Sequence, residues 1–178
     1  MAVFNPLTKI TAPPLSALTT FREHKSRILA NGDLSPDGKA THLLNASQAV
    51  KAALKTAVEL LASEQRLAAR KRESFSRPGF QAANVEEAIL HSEIRAHLKA
   101  AKPADRTALL DSADAQTLAA VLLGPSWLSG ISSDLHDSLS LKFARLVHPD
   151  DWDALVEQEA ALASVEAELA AIREELPQ

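Results

Sequence analysis

Leucine recurs at Leu155, Leu162, Leu169 and Leu176, and Gln158, Val165 and Ile172 each follow one of these leucines by three residues. Such a seven-residue repeat of a and d positions belongs to a helix that packs along another helix. Residues 149–178 are therefore expected to form an acidic heptad helix, opened by Pro149 or Asp150, with first-turn aspartates at the positive end of its dipole. A helix of this length is marginal in isolation. Each leucine adds roughly 1.5–3 kcal/mol on full burial, and only with a partner present. The association seam is read as Leu155, Leu162, Val165, Leu169, Ile172 and Leu176.

Charge narrows the choice of partner. Residues 150–178 carry nine carboxylates against the single Arg173, a net of −8 in a chain whose total is −4, so the preceding residues are about +4. That excess concentrates at Arg66, Arg70, Lys71, Arg72 and Arg77. If the heptad helix paired in parallel with its own copy, Glu168 would approach Arg173, while Glu159 and Glu166 would meet no base. The lysines and arginines of the long helix described next neutralise the acidic flanks better, although exposed pairs each contribute under about 1 kcal/mol. A hairpin within the chain, a pairing between chains and a solvated single helix all remain open.

Ser35-Pro36-Asp37-Gly38 is a helix start: Ser35 caps, Pro36 fits the first turn and Asp37 complements the dipole. The helix that follows is expected to reach about Ser74, with a stripe of Leu43, Ser47, Val50, Leu54, Val58, Leu61 and Ala68. The expected long-helix face is Leu43, Val50, Leu54, Val58 and Leu61. At 1.5 Å per residue it spans about 60 Å, more than a small domain covers, so it needs another long helix or a partner chain. Before it, residues 1–13, with Pro6 and Pro13, read as a flexible N-terminal arm. A helix follows from about Pro14 to Asn31, its face formed by Leu15, Leu18, Arg22, Lys25 and Leu29, helped by Phe21 and Ile28, with Gly32 as a left-handed cap.

After a loop over Phe75–Ala83, Asn84 with Glu87 makes a capping-box start for a helix carrying Leu90, Ile94 and Leu98. Lys102-Pro103 ends it. Short helices are expected over 104–112 and from Asp114 to Leu123, stopped by Gly124-Pro125. Trp127, Leu128 and Ile131 are expected to pin the next connection to a small core. A further helix opens at Ser133 or Asp134, carries Leu135, Leu139, Phe143 and Leu146, and closes at His148-Pro149. The division is thus an arm over 1–13, two helices with a basic end over 14–83, a short-helix bundle over 84–148, and the heptad helix over 149–178. Apolar residues are 46% of the chain, much of that alanine, with 4% aromatics and five glycines. Alanine favours helix and buries little area, and no sustained two-residue alternation supports sheet. The fold class expected is all-α: long helical hairpin or coiled-coil elements with a small bundle of short helices.

The residues offer little to chemistry. Without cysteine there is no disulfide, thiolate nucleophile or Cys-bound zinc. His24, His42, His91, His97, His136 and His148 are scattered, and His91 and His97 lie about 240° apart on a helix, where a zinc pair needs four-residue spacing. Gly124-Pro-Ser-Trp-Leu-Ser-Gly130 lacks the spacing and the strand of a nucleophile elbow. There is no glycine-rich phosphate loop. No enzyme activity, metal or cofactor is expected, and no membrane span or signal peptide. Arg66, Arg70, Lys71, Arg72 and Arg77 form the one cluster suited to phosphate or an acidic partner, with only Phe75 and Phe80 near it for base stacking.

Asp33-Leu-Ser-Pro-Asp-Gly-Lys39, followed by a long alanine-rich helix, resembles the front of small helical proteins from tailed-phage and prophage structural modules. Glu93-Ile-Arg95, Asp105-Arg-Thr-Ala-Leu-Leu110, Thr117-Leu-Ala-Ala-Val-Leu122 and Trp127-Leu-Ser-Gly-Ile131 are similar to a pattern in the same proteins, where a helix pair ends in a proline and an apolar-Leu-Ser-Gly turn. The resemblance covers about residues 33–131. It implies a virion or head-assembly protein, homo-oligomeric, with capsid, portal or other virion proteins as partners and packaged DNA nearby, found in the virion or in the host cytoplasm during assembly. It carries over no functional residues. The acidic C-terminal heptad departs from scaffolding proteins, which often place a basic element there to grip the coat.

Overall fold

A computed structural model of the chain describes residues 7–76 and 84–177. The first six residues of the expected arm, and most of the expected loop including Arg77, Pro78, Gly79 and Phe80, lie outside the described residues. Among those described the fold is all-α, with no strand: α1 (Thr8–Ala30), α2 (Pro36–Ser76), α3 (Val85–Ala100), α4 (Pro103–Asp111), α5 (Ala115–Leu122), α6 (Ser126–Ser129), α7 (Ser133–Val147) and α8 (Pro149–Glu174). None of these helices is long and apolar enough to cross a membrane. The chain divides into two compact units, one of residues up to Ala68 together with those from Glu157, the other Ala69–Val156. The heptad helix is thus shared between the units, where the sequence suggested a separate segment.

The first unit holds α1, most of α2 and the later part of α8. Here α1 departs from expectation at its start, because Pro13 and Pro14 lie inside the helix. Each removes an N–H from the ladder. Burial compensates, since Ile10, Pro14, Leu18 and Phe21 follow one another at intervals of four, four and three and are all buried. That face is turned from the expected one, so Leu15 and Leu29 are exposed. The helix ends without a left-handed glycine at Gly32. Instead, the Asp33 N–H donates to Asn31 Oδ1 at 2.9 Å, and Lys39 Nζ donates to the Leu29 carbonyl at 3.0 Å. Gly38 N–H donates to Ser35 Oγ at 3.1 Å, the cap expected for α2.

Along α2 the buried residues of this unit are Ser47, Val50, Leu54, Ala57, Leu61 and Ala68. Expectation put Val58 where Ala57 stands. Ala57 is 2% exposed and Val58 53%. The intervals from Ser47 to Leu61 alternate three and four, so the inward position after Leu54 is three residues on, and Val58 is turned about 100° off the seam. Leu43 is half-buried.

The second unit is built on Leu98, Leu110, Leu118, Val121, Leu122, Ile131, Leu139 and Phe143, with Ile94, Ala113, Ala115 and Leu135 packed against them. Its helix starts are capped by side chains: Asn84 Oδ1 accepts the Glu87 N–H at 2.8 Å, Asp114 Oδ1 that of Thr117 at 2.8 Å, and Ser132 Oγ that of Leu135 at 3.2 Å. The helix α7 begins at Ser133, as expected, with Ser132 before it as the cap. Its C-terminal ends are capped by cations. Arg106 donates to the carbonyls of Leu98, Lys99 and Ala101 at the end of α3, and to that of Gly130. Lys142 Nζ reaches the Leu110 and Asp111 carbonyls of α4 at 2.9 and 2.6 Å, and Arg95 the Ala120 carbonyl of α5 at 2.7 Å. The last carbonyls of a helix have no partner inside it, and a cation there also meets the negative end of the dipole.

Three side chains correct the sequence reading of this unit. Trp127 is 65% exposed, with Lys99 Nζ 5.9 Å from its ring centroid, while Ile131 alone of the expected trio is fully in the core. Leu146 is exposed, and Ala144 takes the buried position beside Phe143. On α3, His91 is buried in place of Leu90.

Candidate association surfaces

In the first unit, α2 and α8 wall an open groove of about 1070 Å³ lined by residues 51–65 and 166–177. Leu54, Leu61 and Leu169, all buried, form its floor. Val58 stands exposed on one wall, and Leu176, half-buried, on the other. Lys51, Lys55 and Glu59 lie along the α2 wall, and Glu166, Arg173 and Glu174 along the α8 wall. Gln65 Nε2 donates to Glu166 Oε2 at 3.0 Å. Leu162, Val165, Leu169 and Ile172 are buried within the single chain. The first unit therefore fills this part of the seam with its own helices. Leu155, in the second unit, is likewise buried, as is Trp152 three residues before it.

Near the C-terminal end Arg22 of α1 forms a two-pronged pair with Glu175, at 3.0 and 2.5 Å. The bond from Arg22 holds the Glu175 carboxyl below its ordinary range, and Glu175 in turn raises the guanidinium. Glu175 was read only as part of the acidic excess; its cationic partner comes from α1, which sequence pairing rules do not reach.

Four members of the basic cluster, Arg66, Arg70, Lys71 and Arg72, lie on α2. Arg66 belongs to the first unit, and Arg70, Lys71 and Arg72 to the second. Arg66, Arg70 and Lys71 are exposed. Arg72 lies 5.1 Å from the ring centroid of Trp152, and Arg145 lies 5.9 Å from the same ring. Lys71 Nζ is 5.4 Å from the Phe75 ring, which stacks on His148 with centroids 4.9 Å apart. Cations held over aromatic faces gain about 0.5–2 kcal/mol. The sequence reading missed Trp152 and Arg145. Trp152, three residues before Leu155, continues the buried stripe of α8 upstream, a signal present in the sequence.

The histidines are dispersed. His24 and His42 border a shallow hollow in the first unit with Arg27 and Asn45. His97 borders another in the second unit with Glu93 and Asp114. His91 is 3% exposed, with Glu87 Oε1 3.9 Å from its Nε2. No group of three or more potential metal ligands occurs among the described residues. No protein-family model, curated protein or solved structure matches the chain.

Proposed function

We propose that this chain is a non-enzymatic structural or assembly protein of a tailed-phage or prophage particle, working through helix–helix association with itself and with capsid or portal components. The observation that carries the association part is apolar surface left over after the seams are filled. Val58, Leu60 and Leu67 on α2 stay exposed beside a buried stripe, as do Val85 and Ile89, one turn apart on α3. Such residues supply apolar area that a partner helix can bury. The particle assignment rests on the resemblance over residues 33–131.

The test is to follow the protein through particle assembly. Particles and assembly intermediates from the phage or induced prophage encoding it are separated on a density gradient and analysed by mass spectrometry. The expected result is this chain in multiple copies in head, connector or precursor fractions. Its confinement to the soluble lysate at every stage overturns the reading.

A second reading, a DNA-associated binding protein, is favoured by Lys71, Arg72 and Arg145 gathered on the rings of Phe75 and Trp152. It predicts binding to duplex DNA that weakens steeply with salt and falls on replacement of Arg70 and Lys71 by glutamine. Absence of retention at low salt removes it.

A further inference from the structure

The groove of the first unit is open along its length, yet its charges are ordered. The Gln65–Glu166 bond fixes one level, and the same walls extend to Lys51 on α2 and Pro177 beyond α8. As the groove leads away from Gln65, numbers fall on α2 from 65 to 51 and rise on α8 from 166 to 177, so the two helices are antiparallel. At 1.5 Å per residue, the level of Glu59 falls within about 2 Å of Arg173, and that of Lys55 within about 3 Å of Glu174. Two of the three charges on the α2 wall, Glu59 and Lys55, therefore stand level with an opposite charge on the α8 wall, with the exposed Val58 beside them, while Lys51 lies beyond the last charge of α8.

We propose that this groove is the joint between two copies of the chain. Each lays its α2 wall on the α8 wall of the other about a two-fold axis parallel to the helices, giving an antiparallel four-helix bundle. That axis preserves level while exchanging walls. Glu59 then meets Arg173 of the second copy and Lys55 meets its Glu174, while Gln65 and Glu166 keep their bond within each chain. Val58 enters the space between Ala170 and Leu176 of the other chain, a gap that the small Ala170 leaves open. Both pairings occur twice, as an isologous interface requires. Rotation about an axis across the groove sets α2 on α2 instead and loses this charge match. The interface is short, about 21 Å along the helices, so association is reversible and concentration-dependent.

The proposal locates the self-association of the proposed function and rests on that reading, but its test needs no particle. Sedimentation equilibrium of the full chain from micromolar to several hundred micromolar is expected to show a monomer–dimer equilibrium. Val58→Glu is expected to weaken it about tenfold or more with helix content unchanged by circular dichroism. Glu59→Arg and Arg173→Glu are each expected to weaken the dimer when alone. An equimolar mixture of the two variants is expected to restore it, because both inter-chain pairs become opposite in sign. Repair by mixing cannot come from pairing within a chain. A wild-type chain that stays monomeric over the whole range overturns the joint. So does a dimer that survives Val58→Glu and shows no repair on mixing, which leaves self-association intact through another surface. Absence from particles alongside a confirmed groove dimer instead overturns the particle assignment alone.

Discussion

The two units solve the same problem, a helical protein poor in large side chains, in opposite ways. The first has few helices and they are long, so helix ends are rare and stability comes from a continuous seam of Val50, Leu54, Leu61, Leu162, Leu169 and Ile172. The second uses helices as short as α5, eight residues, so unpaired terminal groups are numerous relative to core. It answers with Asn84, Asp114 and Ser132 at helix starts and Arg95, Arg106 and Lys142 at helix ends. The contrast teaches that shortening helices moves stability from periodic burial to individually placed polar contacts. Periodic burial tolerates alanine well; a capping cation has no substitute nearby.

That difference can be broken at either side. Leu162→Ala, in a fully packed stretch of the seam, is expected to cost about 3 kcal/mol by loss of transfer energy and a residual cavity. In urea unfolding followed with hydrogen exchange, the added exchange should concentrate in the first unit. An effect below about 1 kcal/mol would mean that the seam is loosely filled. Arg106→Met keeps the stem but removes the donor to four carbonyls, and about 2 kcal/mol is expected, with exchange rising around residues 98–131. Arg106→Lys should recover only part of this, because an ammonium lacks the planar fork.

Smaller effects refine the comparison. Gly130 has φ +68° and lies where an added Cβ would sit 3.3 Å from Arg106 Nη1. Gly130→Ala is expected to cost about 1 kcal/mol or more, because the left-handed conformation disfavours a side chain and the cap must shift. A neutral result would show that the turn relaxes independently of Arg106. The smallest effect is electrostatic. Glu175 is held below its ordinary range by Arg22, so its contribution is present above the ordinary carboxylate range and is lost as pH falls through the depressed folded value. The stability difference between the wild type and Arg22→Gln should therefore shrink on acidification and in high salt. A difference that is independent of both would assign Arg22 a packing role instead.

Much of the fold was legible in the residues. The helix starts at Ser35, Asn84 and Asp114 are local devices, each reaching three residues along its own chain, and the heptads of α8 repeat often enough to fix a face. Where a pattern depended on knowing the boundary, it slipped. Placing the start of α1 at Pro14 hid Ile10 from the stripe and turned the face, since proline's local cost is offset only by burial that the sequence does not display. Choosing Val58 over Ala57 followed hydrophobicity where geometry followed the three-four alternation.

What the sequence determined by itself was the helical class, most helix boundaries and the packing stripe of the last helix, because these follow from spacing along one chain. What only the tertiary structure decided was destination. It placed Arg106 on α3 and Gly130, Lys142 on α4, Arg22 on Glu175 and Arg72 over Trp152, and it left Trp127 outside while burying His91. Long cationic side chains carry no mark of which carbonyl, carboxylate or ring they will meet, since those partners lie up to 153 residues away and come within reach only when the helices pack. The last helix shows both halves of this. Its leucines announced that it would pack, and the fold assigned the floor of that seam to its own chain while leaving one groove wall open.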